Sequence, residues 1–366
     1  MSRNTVATIN LPALARNLER VRALAPNANI MAVVKADAYG HGLTRCIPAL
    51  QSADLLAVAT MREAREIRSV DCEIPVLLLE GVTDADELDE VNEFKLEHVV
   101  HHAAQLQWIE QSGCRSHQRI WLKLNSGMNR LGFPLEQARE VHQRIQAWPG
   151  VEEVVLMTHF ACADQPGHAM NQLQRERFDQ ATAGLEGPHC LSNSGALIND
   201  ASAHREWVRA GLMLYGVSPL DQQTGHDLGF EPVMRLDSQL IAINAVEAGE
   251  SIGYGARYTA AHHHRVGVVA IGYGDGYPRN MPDGTPVLVK GQPCPLAGRV
   301  SMDMLTVDLS NQPDAALGDP VTLWGPDLPV ETIAAAVDTI PYELLCRVSP
   351  RVRYEEIEYL RSKPRN

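Results

Sequence analysis

Lys35 ends the apolar run MAVV and opens the segment Lys35-Ala-Asp-Ala-Tyr-Gly-His-Gly42. An amine that emerges beside a buried strand is poorly solvated, and such an amine is the kind that condenses with a carbonyl to give a Schiff base. Further along, Ser192-Asn193-Ser194-Gly195 and Arg209-Ala210-Gly211 each sit at the end of an apolar run. Hydroxyls and backbone N–H groups in such turns can hold a phosphate, although a Ser-Asn-Ser-Gly sequence taken alone is an ordinary turn. A lysine and an anion-binding turn together make a cofactor hypothesis.

Lys123 and Arg130 flank the turn Asn125-Ser-Gly-Met-Asn-Arg-Leu-Gly132, and His159 closes another apolar run. Arg130 suits an amino-acid carboxylate, because its planar guanidinium donates two parallel hydrogen bonds and the chain's net charge would otherwise repel the anion. His159 on its own reads as structural. Gly253-Tyr254-Gly255 and Gly272-Tyr273-Gly274 flank a phenol with glycines, which lets the backbone expose it; a pair of β-turns with packed rings is the plainer reading of either alone.

The elements that must position these groups alternate in type. Eight β-rich runs begin at Met31, Leu55, Pro75, Glu97, Arg119, Val154, His189 and Trp207. Charged stretches with apolar residues at helical spacing lie between them, such as MREAREIRSV from Met61, DADELDEVNEF from Asp84, PLEQAREVHQRIQAW from Pro134 and NQLQRERFDQATAGL from Asn171. Eight β/α units predict an N-terminal (β/α)8 barrel over residues 1–230, with reactive groups at the C-terminal ends of its strands. A doubly wound open sheet is the rival, but no GxGxxG follows the first run. From about Glu231, QLIAINAV, RVGVVAIGYG, TPVLVKG, GRVSMDMLTVDLS and DPVTLWG alternate with Gly, Pro and Asp turns, which predicts a C-terminal all-β domain over 231–366.

Composition narrows the function classes. With 32 basic and 45 acidic residues the chain carries a formal charge of −13, the wrong sign for nucleic acid or an anionic membrane. The start has no apolar signal core and no stretch approaches the ~18 apolar residues of a membrane span, which predicts a cytoplasmic protein. Seven scattered cysteines, Cys46, Cys72, Cys114, Cys162, Cys190, Cys294 and Cys346, show no CxxC pair and read as reduced structural thiols. The run His262-His263-His264 reads as a solvated loop, and no metal is assigned.

Taken together these segments resemble alanine racemase, a fold-type III pyridoxal-phosphate enzyme, nearly from end to end. The resemblance rests on VVKADAYGHG from Val33, KLNSGMNRLG from Lys123, THF from Thr158, SNSGA from Ser192, VRAGLMLYG from Val208, GYGARY from Gly253, GYGDGYPR from Gly272, GRVSMDM from Gly298 and PYELLCR from Pro341. It implies an enzyme that interconverts L-alanine and D-alanine with pyridoxal 5'-phosphate. Lys35 would form the Schiff base and act as one of two catalytic bases, with Tyr254 as the other. In the family that tyrosine arrives from a partner subunit, together with the segment matching Met302 and Asp303, so the resemblance implies a homodimer with shared sites.

Phosphate contacts would come from Tyr39, Ser194, the Gly211 amide and Tyr342. Arg209 would face the pyridine nitrogen with His159 behind it, Arg130 and the Met302 backbone would hold the substrate carboxylate, and Tyr273 with Tyr342 would narrow the way in. Lys123 matches a lysine that CO₂ carbamylates in many members, turning a cation into an anion able to orient Arg130; the family's usual Asp two residues on is Asn125 here. Ser301, where some relatives carry Cys, should be neutral for chemistry. Three rival readings share part of this pattern: a barrel decarboxylase of the same cofactor class, a non-catalytic barrel-only carrier of the cofactor, and an aldolase with a bare lysine. The β domain with Tyr254 speaks against the carrier.

Overall fold

Runs of aliphatic residues with no internal proline form the strands of a closed parallel barrel in a computed structural model that describes residues 4–70, 72–112 and 119–358. After β1 (Val6–Asn10), which lies outside it, the barrel strands are β2 (Asn29–Val33), β3 (Leu55–Val58), β4 (Val76–Leu78), β5 (Glu97–Val100), β6 (Arg119–Asn125), β7 (Glu153–Met157), β8 (His189–Cys190) and β9 (Trp207–Ala210). Each pairs in parallel with the next, and two pairings decide closure. His98 opposite Ile120 joins β5 to β6, and Arg209 opposite Met31 joins β9 back to β2. An open sheet would leave two free edges, so the doubly wound alternative is excluded.

Helices wrap the strands because their apolar residues recur on one face. They are α1 (Leu11–Leu24), α2 (Leu43–Cys46), α3 (Met61–Arg68), α4 (Glu87–Glu93), α5 (Ala103–Ser112), α6 (Ala138–Gln146), α7 (Ala169–Thr182) and α8 (Ser194–Asn199). The Asn10 side chain caps α1 by accepting from the Ala13 amide at 3.0 Å, and Thr60 with Glu63 forms a reciprocal cap at the start of α3. Opposite the site, Arg119 ties neighbouring strands together by bonding Glu97 at 2.9 Å and pairing with Glu153.

The second sheet is eight-stranded and built around the long β10 (Met234–Val246). It is followed by the hairpin β11 (Ser251–Ile252) and β12 (Tyr258–Thr259), then β13 (His264–Val269), β14 (Pro286–Val289), β15 (Gln292–Pro295), β16 (Leu305–Asp308), β17 (Pro320–Trp324), the helices α9 (Val330–Ala336) and α10 (Pro341–Cys346), and β18 (Arg353–Ile357). One strand departs from the division expected at residue 230. β1 pairs with β10 and β18, so the chain starts in the second sheet before it enters the barrel. The five-residue VATIN alternates half-buried and buried positions, the pattern of a sheet with two different faces. His264 also departs from expectation. It is buried at the head of β13 with Nδ1 2.8 Å from the His262 carbonyl, so only His262 and His263 are solvated.

Six cysteines are free thiols, and Cys114 lies outside the described residues. Among the described residues no helix is long and apolar enough to cross a membrane, and no group of three His, Cys, Asp or Glu is placed to hold a metal.

Candidate active site

A cavity of about 1020 Å³ opens at the C-terminal ends of the barrel strands. Lys35 reaches it directly after β2. The residues that follow, Ala36, Asp37, Ala38 and Tyr39, all have φ between 52° and 54°, a left-handed turn without a single glycine. Each such residue costs about 1–2 kcal/mol, so the surroundings must hold the turn in place. Asp37 accepts from the Leu43 amide at 2.6 Å, and the Tyr354 hydroxyl of β18 donates to the Gly40 carbonyl at 3.0 Å. His41 helps from below: burial pushes its imidazole down to about 4, so it is neutral and its Nδ1–H donates to the carbonyls of Ala38 and Tyr39, both at 3.0 Å.

The turn delivers Tyr39 against Gly211 and Ser194. The Gly211 amide donates to Ser194 Oγ at 2.9 Å, and a Cβ placed on Gly211 would stand only 2.8 Å from Tyr39 Oη. Gly211 is therefore a position where the backbone must come close to a hydroxyl-lined pocket. Burial pushes the Tyr39 phenol well above its usual range, and the Tyr342 phenol up to about 12, so both stand as donors at neutral pH. The two rings are 5.8 Å apart, and Tyr342 comes from α10 of the second domain.

Arg209 lines the same cavity from β9 and is 4% exposed. Its two terminal nitrogens are fully engaged: Nη1 donates to the Cys190 carbonyl and Sγ at 3.0 and 3.2 Å, and Nη2 to Thr158 O, His159 Nδ1 and Leu191 O at 2.9, 3.0 and 3.1 Å. Nε–H is left without an acceptor among the described residues. Burial, reinforced by Arg209, holds His159 well below its ordinary range, which leaves the imidazole neutral and able to accept at Nδ1.

Lys123, on β6, is buried beside these cations. Burial first, then Arg209, Arg130 and Lys35, push its amine down to about 8, with Glu80 opposing. Arg130 stands exposed at the cavity rim. Asn125 does not reach it: its Oδ1 accepts from the Gly127 and Asn129 amides at 3.1 and 3.0 Å and fixes the intervening turn.

The remaining predicted residues are elsewhere. Tyr254 is 72% exposed on the loop of the β11–β12 hairpin, and Met302 is 52% exposed. Tyr273 and Asp303 are half-buried. None of the four lines the cavity. Tyr273, Met302 and Asp303 neighbour one another on the second domain: the Tyr273 and Gly274 amides donate to Ser301 O and Met302 O at 3.0 and 2.9 Å, and Arg351 bonds Asp303 at 2.6 Å.

Sequence reasoning passed over Gln174, which is 0% exposed on α7. Its Nε2 donates to Ser126 Oγ and His159 O at 3.1 and 3.0 Å and its Oε1 accepts from the Ala161 amide at 2.8 Å, which locks the loops after β6 and β7 together. A glutamine inside a charged helical stretch gives no signal of such a role.

Two family profiles cover the chain: "Alanine racemase, N-terminal domain" over residues 9–219 and "Alanine racemase, C-terminal domain" over 233–355. The alanine racemase of Azoarcus sp. (strain BH72) is 49% identical over 347 residues, 94% of this chain and 97% of that protein. Among solved structures, the biosynthetic alanine racemase from Pseudomonas aeruginosa superimposes with a TM-score of 0.95 at 44% identity, over 97% of this chain and 100% of that one. The alanine racemase from Bartonella henselae with covalently bound pyridoxal phosphate gives 0.88 at 25% identity, over 97% and 99%.

Proposed function

The chain belongs to the alanine racemase family, and from that premise we propose which of its residues carry the reaction. It is a pyridoxal-phosphate-dependent racemase that interconverts L-alanine and D-alanine. The observation that carries the residue assignment is the convergence of a lysine, a guanidinium and a hydroxyl-lined cradle in one cavity.

The residues present fit the cofactor. The cradle sets the Gly211 backbone against the hydroxyls of Tyr39 and Ser194, with a Cβ at 211 only 2.8 Å from Tyr39 Oη, and this grouping of donors suits a phosphate. Tyr342 adds a second phenol, and Lys35 is the amine that would hold the aldehyde carbon. The free Nε–H of Arg209 would meet the ring nitrogen. A guanidinium does not surrender its proton, so Arg209 would leave that nitrogen unprotonated and restrain side reactions such as transamination. When bound, pyridoxal phosphate supplies the electron sink that makes the α-hydrogen of alanine removable.

The rest falls to the chain. Racemisation takes a proton from one face of the α-carbon and returns one to the other, which a single base does poorly. Lys35 Nζ serves one face and Tyr254 Oη the other. Arg130 and the Met302 backbone hold the carboxylate, with Asp303 beside them, and Tyr273 with Tyr342 narrows the way in. Tyr254, Met302, Asp303 and Tyr273 lie away from their own chain's cavity, which supports a homodimer in which a second copy presents them. The barrel spans residues 1–230 and the β domain 231–366 in this reading, with β1 exchanged between them, and the enzyme works in the cytoplasm.

Lys123 takes up CO₂ as a carbamate. A neutral amine is required, and one pushed down to about 8 supplies it; the resulting anion would stand among Arg209, Arg130 and Lys35 instead of adding to their repulsion.

Borohydride reduction of the holoenzyme followed by peptide mass spectrometry should find the adduct on Lys35. An adduct on a different lysine would overturn the assignment. A coupled D-amino-acid oxidase assay with L-alanine, repeated across small amino acids, reads substrate breadth.

A further inference from the structure

Glu63, in the first turn of α3, is 6% exposed, and nothing in the chemistry above uses it. Its carboxylate accepts three backbone N–H bonds. Oε2 takes those of Ala59 and Thr60, at 2.9 and 3.0 Å, and so completes the cap of α3. Oε1 takes that of Ala36, at 2.7 Å. Ala36 directly follows Lys35 and is the first of the four left-handed residues.

A helix cap needs only one of the two oxygens. The other crosses to the neighbouring β/α unit and accepts from the amide at the head of the turn, a bond strengthened by the carboxylate's charge. We propose that Glu63 is a positioning residue for Lys35. Its Oε1 fixes the Ala36 amide, and with it both the direction in which Lys35 leaves the barrel wall and the start of the turn that carries Tyr39 to Gly211 and Ser194. This rests on the reading of Lys35 as the cofactor lysine.

Glu63→Gln separates the two roles. The amide has one oxygen; facing it toward Ala59 and Thr60 keeps the cap and turns an NH₂ against the Ala36 N–H. Thr60→Ala does the reverse, because it removes the hydroxyl that caps α3 and leaves the Ala36 bond intact. Three readouts are taken on each holoenzyme: the rate of cofactor release into hydroxylamine, kcat and KM for alanine, and melting temperature.

In Glu63→Gln, cofactor release should quicken and kcat fall, each by about tenfold or more, while KM stays within about twofold. Thr60→Ala should lower the melting temperature without either change. Glu63→Asp, which keeps the charge but shortens the reach, should show the same losses in weaker form and serves where the glutamine variant accumulates poorly. Wild-type cofactor release and kcat in both Glu63 variants, or losses that merely follow melting temperature as in Thr60→Ala, would overturn the positioning role. Borohydride trapping on the unmodified chain keeps the two failures apart. An adduct away from Lys35 removes the underlying reading, whereas an adduct on Lys35 with indifferent Glu63 variants removes the positioning role alone.

Discussion

In the proposed reaction Arg209 and Tyr254 have complementary duties, and their surroundings are opposite. Arg209 is 4% exposed and its terminal nitrogens make five contacts before any ligand arrives, whereas Tyr254 is 72% exposed on a two-strand hairpin. The barrel mouth is organised by its own chain. The residues around Tyr254 are shaped and presented but have nothing of their own chain to act upon. Preorganised dipoles in a water-poor pocket are worth most where charge develops, so a cofactor site gains from being finished in advance. A second base has a different need: it must reach the opposite face of the substrate, and a surface on another copy can do so without crowding the first.

The sharpest way to break this comparison is to disable one half in each of two chains. Lys35→Ala alone and Tyr254→Phe alone should each form homodimers poor in activity, Lys35→Ala by at least about a thousandfold and without absorbance near 420 nm. Mixed and reassembled, the two variants should regain activity, because one of the two sites in the heterodimer pairs an intact Lys35 with an intact Tyr254. No recovery from well-folded mixtures would mean that the halves belong to one chain.

Tyr254→Phe by itself tests which face the phenol serves. Racemisation should fall by about 10²–10⁴ in both directions, the usual worth of a positioned acid or base, because the enantiomers are equal in free energy, whereas α-proton exchange should persist for the one enantiomer whose proton Lys35 removes. Loss of α-proton exchange from both enantiomers alike, or retention of it in both, would speak against two distinct bases.

Much of the barrel half is legible in the sequence because its determinants are local. A run such as MAVV or LLAV, short and aliphatic and repeated between helical stretches, fits a buried strand, and the polar residue that ends it falls at the barrel mouth. The left-handed turn is a different matter. Ala36, Asp37, Ala38 and Tyr39 have no glycine among them, and the support for their φ values comes from Asp37 and His41 nearby and from Glu63 and Tyr354, the last two distant in sequence. β1 escaped for a similar reason: VATIN would suit either sheet, and its partners β10 and β18 lie more than two hundred residues away. In the second domain the motif glycines marked Tyr254 and Tyr273, but no local pattern reports that a loop faces away from its own cavity.

Lys123 belongs to the barrel half, and its pH response measures how strongly that half is prearranged. The folded amine is pushed down to about 8 from an ordinary 10.5, so between those values the unfolded chain binds more protons than the folded one. Stability should therefore rise with pH through that window relative to Lys123→Met, by up to about 1.4 kcal/mol per pH unit, and show no difference in slope below it. Under ¹³C-bicarbonate the carbamate resonance should grow from pH 7 to 9 and be missing from Lys123→Met. A flat stability difference would show that Lys123 is better solvated than its buried position suggests.

Ser301→Cys should be the gentlest change, and its mildness is what the comparison requires. The Ser301 hydroxyl donates to Met304 O at 2.8 Å and accepts from the Met304 amide at 3.1 Å, closing the turn that displays Met302 and Asp303. A thiol is a poorer donor and acceptor, so this clasp loosens, at a cost of about 0.5–1.5 kcal/mol of local stability. The backbone frame of the turn does not depend on it, because Met302 O still accepts from the Gly274 amide at 2.9 Å and Ser301 O from the Tyr273 amide at 3.0 Å. Moreover, in the proposed homodimer this surface would be fixed chiefly by what covers it. The expected change in kcat/KM is therefore less than about threefold in either direction. A loss of tenfold or more with an unchanged dimer would mean that this face is as tightly prearranged as the barrel mouth, and the contrast between the two halves would be gone.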